Sequence, residues 1–584
     1  MLFNKPQLTL NAKDKSMNKK IFIGLAWPYA NGSLHLGHAS AFIGADILAR
    51  YHRLAGNDVL LVSGSDCYGT PIAVEAAEKG IAPSDIADKY HQEFQESLID
   101  GLKFSYDIYT RTTTDHHSKI VQELFLDLYQ KGFLYTKTEN ALYSPFLNRF
   151  LPDRFVEGTC PKCGYDSARG DQCDECGMLL DALELKNPRI NPKVLKRVGE
   201  VSENERRLEA RPSEHFYLKL TALQERLEEW VENTSAPWRK NARGFAQGFL
   251  KQGLQDRAIT RDTDWGVPIP LPGYESKRIY VWFEAVTGYL SASRLWAEEN
   301  GTPEKWKEWW CNSDAIHYYV HGKDNIPFHT IIWPALLLAE GTLHTPDHIV
   351  SSEYLTLEGK QFSKSRGWAV WLPDFLKSFD PETLRYFLVV NGPENSDSDF
   401  IWAEYAQRVN GELISTFGNL VNRVLSFSKK HFPENIRFPV KLDDESMELL
   451  RKAEDSFNKV SKLIEEGKFR SAFRVVLEVA EHGNRYVHGR EPWIKIKNGT
   501  ARDEVESDLA VCLHLIHSLA VLVNPFLPGT SEKIHTFLGL DAKSVVWSYP
   551  PTPKAISVVE YAPLYKKIEE AEIVTAQEKL GRLE

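Results

Sequence analysis

The segment "KIFIGLAWPYANGSLHLGHASAFIGADILARYHRLAGNDVLLVSGSD", residues 20–66, restricts the fold more than any other part of the chain. Its opening run "KIFIGLAWPY" reads as a buried strand, and Phe42, Ile43, Ile47, Leu48 and Leu54 then recur at near-helical spacing until Gly56. "DVLLVSGSD" reads as the next strand. Elements of these lengths close as a right-handed βαβ unit, whose loops at the carboxyl ends of parallel strands are where ligands bind. His35 and His38 lie at that edge, three apart at the helix start, so both project from one face toward the strand ends. Gly37 between them leaves room for a flat base or ribose against the backbone. The positive end of the helix dipole favours phosphate at the same place. Two donors beside a nucleotide suit a reaction in which charge builds on phosphate oxygens, whereas a surface or capping role is the plainer reading of either histidine alone.

A chain of 584 residues is too long for one hydrophobic core, so several domains are expected. With 42% apolar and 26% charged residues it has the composition of a globular protein. No sequence stretch approaches the roughly 18 uninterrupted apolar residues of a membrane helix, and "MLFNKPQLTLNAKDKSMNKK" has no apolar core behind its charges. The expectation is a cytoplasmic protein that engages no membrane, with residues 1–17 as an N-terminal extension, since Met17 would also serve as a start. The net charge of −10 argues mildly against nucleic acid, although a binding face can be locally basic.

Four of the seven cysteines fall in "CPKCGYDSARGDQCDEC": Cys160 and Cys163 form one hook, Cys173 and Cys176 another. Gly164 and Gly177 follow the hooks as turn residues would, and paired hooks of this kind close a tetrahedral thiolate site. Zinc leads by softness and lack of redox chemistry, with iron and a disulfide pair as alternatives. Four thiolates leave no open position, so the metal would be structural. Cys67, Cys311 and Cys512 read as packing residues.

"HLGH" resembles the His-x-Gly-His signature of the class I aminoacyl-tRNA synthetases, and "PYANGSLHLGH" resembles their methionyl branch. The resemblance runs from about Ile21 past Trp493. It implies an α/β fold: a Rossmann-type parallel-sheet catalytic domain with an inserted zinc-knuckle connective domain and a C-terminal α-helical bundle. The halves of the catalytic domain would span 18–115 and 236–345, around an insertion at 116–235. A stem-contact region would cover 346–402, a helical anticodon-binding domain 403–550 and a helical tail 551–584. The family's second signature is a Lys-Met-Ser-Lys-Ser loop. "LEGKQFSKSRGW" keeps Ser363, Lys364 and Ser365 but has Gln361 and Phe362 for the first Lys and Met, and Lys360 stands one residue earlier. Lys364 would offer a point charge to the ATP phosphates, and the two serines would offer hydroxyls.

The resemblance further implies ATP binding by His35, Gly37, His38, Gly322, Asp324, Ser363, Lys364 and Ser365, with His35, His38 and Lys364 in the catalytic role. A pocket for an apolar thioether should be aromatic, and Ala26, Trp27, Tyr29, Trp282, Ala285, Tyr289 and His329 match its family positions. Asp66 matches the ammonium-binding position and Arg261 an arginine near the carboxylate and phosphates. Val286, Thr287 and Tyr68 depart from common family forms, and "YVWFEA" also reads as a strand-like core run. Asn419 and Arg423, four apart on a helix whose other face carries Leu413, Phe417, Leu420, Val421 and Val424, match the anticodon-reading element; Pro492 and Trp493 match its stacking pair. The implied activity is methionine activation on Mg²⁺-bound ATP and transfer to the 3′ end of tRNA(Met), by a monomer holding one structural Zn²⁺. The insertion looks too small for a separate editing module, so homocysteine rejection would fall to the synthetic site. The rivals are a class I synthetase for leucine, valine or cysteine, a small adenylyl-transferring enzyme, and a non-catalytic tRNA-binding paralogue.

Overall fold

The computed structural model describes residues 18–580 except 171–172, 174, 177–179, 197–201, 203–205, 364–366 and 500–501. The N-terminal extension, Lys364 and Ser365 therefore lie outside the described residues. Strand β1 (Lys20–Leu25) leads through a long loop to helix α1 (Leu36–Leu54), then β2 (Asp58–Ser65) and β3 (Ile108–Arg111). After α2 (Asp115–Gln130) a hairpin of β4 (Leu134–Ser144) and β5 (Glu209–Leu218) carries the insertion. The chain returns through α3 (Val281–Glu299) to β6 (Ile316–Gly322) and β7 (His348–Ser352). The five parallel strands lie in the order β7-β6-β1-β2-β3, so β1 is central, flanked by one strand from each half of the chain.

"YVWFEA" is helical, not strand-like, because it opens α3 behind the extended cap residue Tyr280. Burial on both sides, from Phe283 through Glu284 to Val286, Thr287, Gly288 and Tyr289, erases the polar stripe that would have marked a helix, so periodicity could not separate the two states.

Downstream lie α4 (Pro381–Val390), α5 (Trp402–Arg408) and a wide-turn segment, Val409–Gly418, that runs into α6 (Asn419–His431). The bundle is completed by α7 (Asp444–Glu465), α8 (Phe469–Arg490), α9 (Arg502–Val523) and α10 (Pro528–Phe537). Helix α9 is long and apolar enough to cross a membrane, but 83% of its apolar window is buried against its neighbours, which fits the central helix of a bundle. The tail is not one helix: among its described residues only α11 (Glu570–Gln577) is helical. Before it, Val558, Leu564, Tyr565 and Ile568 are buried against the bundle, and Pro563 has no N–H for a continuous helix.

The parallel-sheet half and the bundle share a buried charge cluster. Asp46, on the inner face of α1, accepts from Arg50 Nε at 2.8 Å and Arg385 Nη2 at 2.7 Å, and from Ser105 N and Oγ at 2.7 Å. Arg385, on α4, also donates to the carbonyls of Leu102 at 3.0 Å, Pro525 at 3.3 Å and Phe526 at 2.7 Å. Burial would raise the Asp46 carboxyl, but the two guanidinium groups and their hydrogen bonds hold it at about 2. Arg385→Met removes this donor from the buried carbonyls of Leu102, Pro525 and Phe526 and leaves Asp46 with Arg50 and Ser105 alone, and should cost about 3–5 kcal/mol in urea unfolding at neutral pH. Because the folded-state value lies below the ordinary 3.8, the wild-type advantage should persist above that pH and shrink as pH falls toward 2.

Candidate active site

The first turn of α1 is closed by imidazoles. His35 is its cap residue and its Nδ1 accepts from Gly37 N at 3.1 Å, while His38 Nδ1 accepts from His35 N at 3.1 Å. An imidazole whose Nδ1 accepts carries its proton on Nε2, so the cap makes both rings Nε2–H donors. Capping and a polar role toward a ligand are thus one arrangement. Gly37 has a reason beyond ligand access: a Cβ there would lie 2.9 Å from the His35 ring. The rings of His35 and His38 are 3.9 Å apart.

The loop bearing the second signature reaches the same place. Phe362 stacks on His35 with centroids 4.5 Å apart and planes 8° from parallel. Ser363 and Trp368 exchange backbone hydrogen bonds at 2.9 and 3.0 Å across the loop's base. Lys360 Nζ lies 4.5 Å over the Trp368 ring, and Gln361 is exposed. The other residues expected to border a nucleotide lie at the strand ends: Gly322 closes β6, and the exposed Asp324 accepts from the Tyr354 hydroxyl.

The expected pocket residues gather at the carboxyl ends of β1 and β2. Ala26 N donates to Val320 O at 3.0 Å, and Tyr29 bridges to Asp66 through the backbone. The Trp27 ring lies against Gly64 and Gly288, where a Cβ would stand 2.7 and 3.0 Å from it. Tyr289 donates to His329 Nε2 at 2.7 Å, because His329 Nδ1 is committed to Asn325 O at 2.8 Å. Burial holds His329 at about 4, hence neutral. Trp282 is 37% exposed and meets Phe328 edge-on at 5.1 Å; Ala285, one turn along α3, is half-buried. Arg261 lies 4.0 Å over Tyr280 and donates to the carbonyls of Ala258 and Thr260.

Asp66 is 3% exposed. Burial pushes its carboxyl well up, Glu284 adds to the rise, and only the Tyr68 N–H at 3.2 Å opposes it. A site that raises a carboxyl in this way is complementary to a cation, since an ammonium group would restore the charge. Glu284 and His117 escaped sequence reasoning. They meet at 2.9 Å, and burial raises the acid while holding the imidazole at about 3, so the contact is a neutral hydrogen bond. Glu284 Oε1 and Trp27 Nε1 are buried without hydrogen-bond partners among the described residues. The legible signal was a lone acid inside the apolar run "YVWFEAVTGYL". Trp265 also escaped notice; its Nε1 donates to Cys67 O at 2.7 Å.

Two further groups of residues lie elsewhere. Cys160 and Cys176 Sγ are 3.9 Å apart, Cys163 and Cys173 Sγ 3.6 Å, and all four lie within 4.8 Å of one another. Metal–sulfur bonds of about 2.3 Å in a tetrahedron require sulfurs about 3.8 Å apart, so the thiols fit such a cation and are too distant for disulfides. The Cys163 N–H leads the contacts that hold the Cys160 thiol down at about 6. Of the other cysteines, Cys67 and Cys512 are buried, but Cys311 is exposed and so is not a packing residue. In the bundle the Arg423 guanidinium lies 5.0 Å over Trp493, which is 36% exposed; Asn419 is exposed and Pro492 is buried. Glu491, at φ 47°, makes the left-handed turn that aims Trp493.

A parallel sheet whose switch point gathers two imidazole donors, an aromatic pocket and a cation-seeking carboxyl defines a class I tRNA synthetase. Residues 21–425 match the model of the tRNA synthetases class I (M), and residues 440–581 that of the anticodon binding domain of methionyl tRNA ligase. The methionine–tRNA ligase of Dehalococcoides mccartyi strain CBDB1 is 46% identical over 97% of this chain and 100% of its own length. That of Bacillus cereus strain G9842 is 45% identical over 96% and 99%. A solved structure of Mycobacterium tuberculosis methionyl-tRNA synthetase, in complex with methionyl-adenylate, shares the fold with a TM-score of 0.78 at 23% identity, covering 94% of this chain and 99% of that one. The chain belongs to the methionine–tRNA ligase family.

Proposed function

We propose that this chain joins L-methionine to tRNA(Met) in two steps. A methionine carboxylate oxygen attacks the α-phosphorus of ATP and pyrophosphate leaves; the hydroxyl of the tRNA's terminal adenosine then attacks the methionyl carbonyl and AMP leaves. Neither step needs a protein nucleophile, so the protein's task is positioning and charge stabilisation. His35 and His38 give Nε2–H donors to phosphate oxygens at the positive end of α1, and Lys364 adds a charge as pyrophosphate departs. Gly322 and Asp324 border the nucleotide, joined by Ser363 and Ser365. Magnesium carried on the ATP phosphates would screen their charge.

The single observation that carries this reading is the contrast at the switch point: two imidazoles whose Nδ1 atoms accept backbone N–H groups on one side and a buried carboxyl on the other. The Nε2–H groups suit phosphate oxygens, and Asp66 suits an ammonium group. Trp27, Tyr29, Trp282, Ala285, Ala26, Tyr289 and His329 would surround the thioether, and Arg261 would meet the carboxylate. Cys160, Cys163, Cys173 and Cys176 would hold one zinc ion that stiffens the insertion. Asn419 and Arg423 would read an unpaired anticodon base stacked on Trp493 beside Pro492.

Amino-acid-dependent pyrophosphate exchange is the decisive experiment. Methionine should stimulate it and leucine, valine and cysteine should not, while Lys364→Ala should lower it by about two orders of magnitude or more; stimulation by another amino acid alone would overturn the assignment. Trp493→Ala should leave exchange near wild type but weaken charging of tRNA(Met) by about tenfold or more, in line with the cost of losing one stacked base. Metal analysis should find one zinc per chain, and Cys163→Ser should release it with local loss of structure around residues 156–190.

A further inference from the structure

We infer that Phe362 is a positioning residue for adenylate formation, holding the His35 imidazole through a ring-on-ring stack. This inference rests on the function proposed above. Gly37 N donates to the His35 Nδ1 at 3.1 Å, the His38 and Trp371 rings lie 3.9 and 6.4 Å away, and the Phe362 ring covers the imidazole at 4.5 Å and 8°. The Gly37 hydrogen bond sets which nitrogen accepts, and a flat aromatic surface parallel to the imidazole adds a constraint on the plane of the ring.

The placement of Phe362 is itself well determined. Leu357 and Lys360 exchange backbone hydrogen bonds at 2.8 and 3.0 Å, Ser363 pairs with Trp368, and Trp368 Nε1 donates to Leu357 O at 3.0 Å. On the other flank His35 bridges to Trp371, with Leu36 N donating to Val370 O at 3.1 Å and Leu372 N to Leu34 O at 2.7 Å. The segment after residues 364–366 is thus fastened to the turn that carries His35, and the segment before them is fastened to it through Trp368. An aliphatic side chain at 362 could fill the volume, but could not fix a ring plane.

The test compares Phe362→Tyr, Phe362→Leu and Phe362→Ala in the full-length protein. Tyr should keep pyrophosphate exchange at the wild-type rate, whereas Leu and Ala should lower its kcat by about tenfold, the scale of one aromatic pair. KM for methionine and single-turnover transfer from preformed adenylate should stay within about twofold, which a general loss of structure would not allow. Carbethoxylation of His35, followed by peptide mass analysis, should speed up severalfold in Leu and Ala but not in Tyr. Wild-type kcat in Phe362→Leu, or unchanged His35 reactivity in both Leu and Ala, would overturn the inference. A wild-type protein without methionine-dependent exchange would instead defeat the proposed function, and the reactivity series would still decide whether the stack holds the ring.

Discussion

Leu25 lies opposite Val320 while Gly24 lies opposite Val62, and this double pairing of β1 is the constraint on which the site depends. A strand that enters the sheet centre has neighbours from two distant parts of the chain, and the crevice between their carboxyl ends opens between them. Every polar group of the site is placed relative to that crevice: the α1 cap by the β1–α1 loop, Asp66 by β2, and Gly322 and Asp324 by β6. Gly24 belongs to the same constraint, because a Cβ there would sit 3.0 Å from the rings of Tyr289 and Tyr319.

In the imidazole cap the residues that close a helix start are the same ones to which the proposed function gives a chemical role. Helix N-termini leave backbone N–H groups unsatisfied, and serine, threonine or aspartate usually answers them. Here two imidazoles do so, and the act of accepting leaves each with its proton on the far nitrogen. Behind the cap, Asp46 and Arg385 tie α1 to the carbonyls that lead into α10, so the bundle is held through the same helix that presents the histidines. A cleft of about 740 Å³ lies between Gly367–Phe379 and α11, and its wall residues Val370 and Trp371 pair with the turn that carries His35.

Much of this was legible without coordinates. The βαβ unit, the paired cysteine hooks, and the apolar face of Leu413, Phe417, Leu420, Val421 and Val424 are local patterns, fixed by spacing along the chain. The start of α3 and the irregular path of the tail were read differently, in both cases because burial by distant elements replaces local periodicity as the deciding influence.

Sequence by itself determined the family, the order of elements and the residue types that converge, since each signature is a short run whose chemistry travels with it. Only the tertiary structure decided which nitrogen of His35 and His38 bears the proton, that Phe362 lies flat on His35, and that Glu284 and His117 meet as a neutral pair. Those facts depend on angles and on exclusion of water between residues as much as 327 positions apart, His35 and Phe362, and no spacing rule along a chain encodes them.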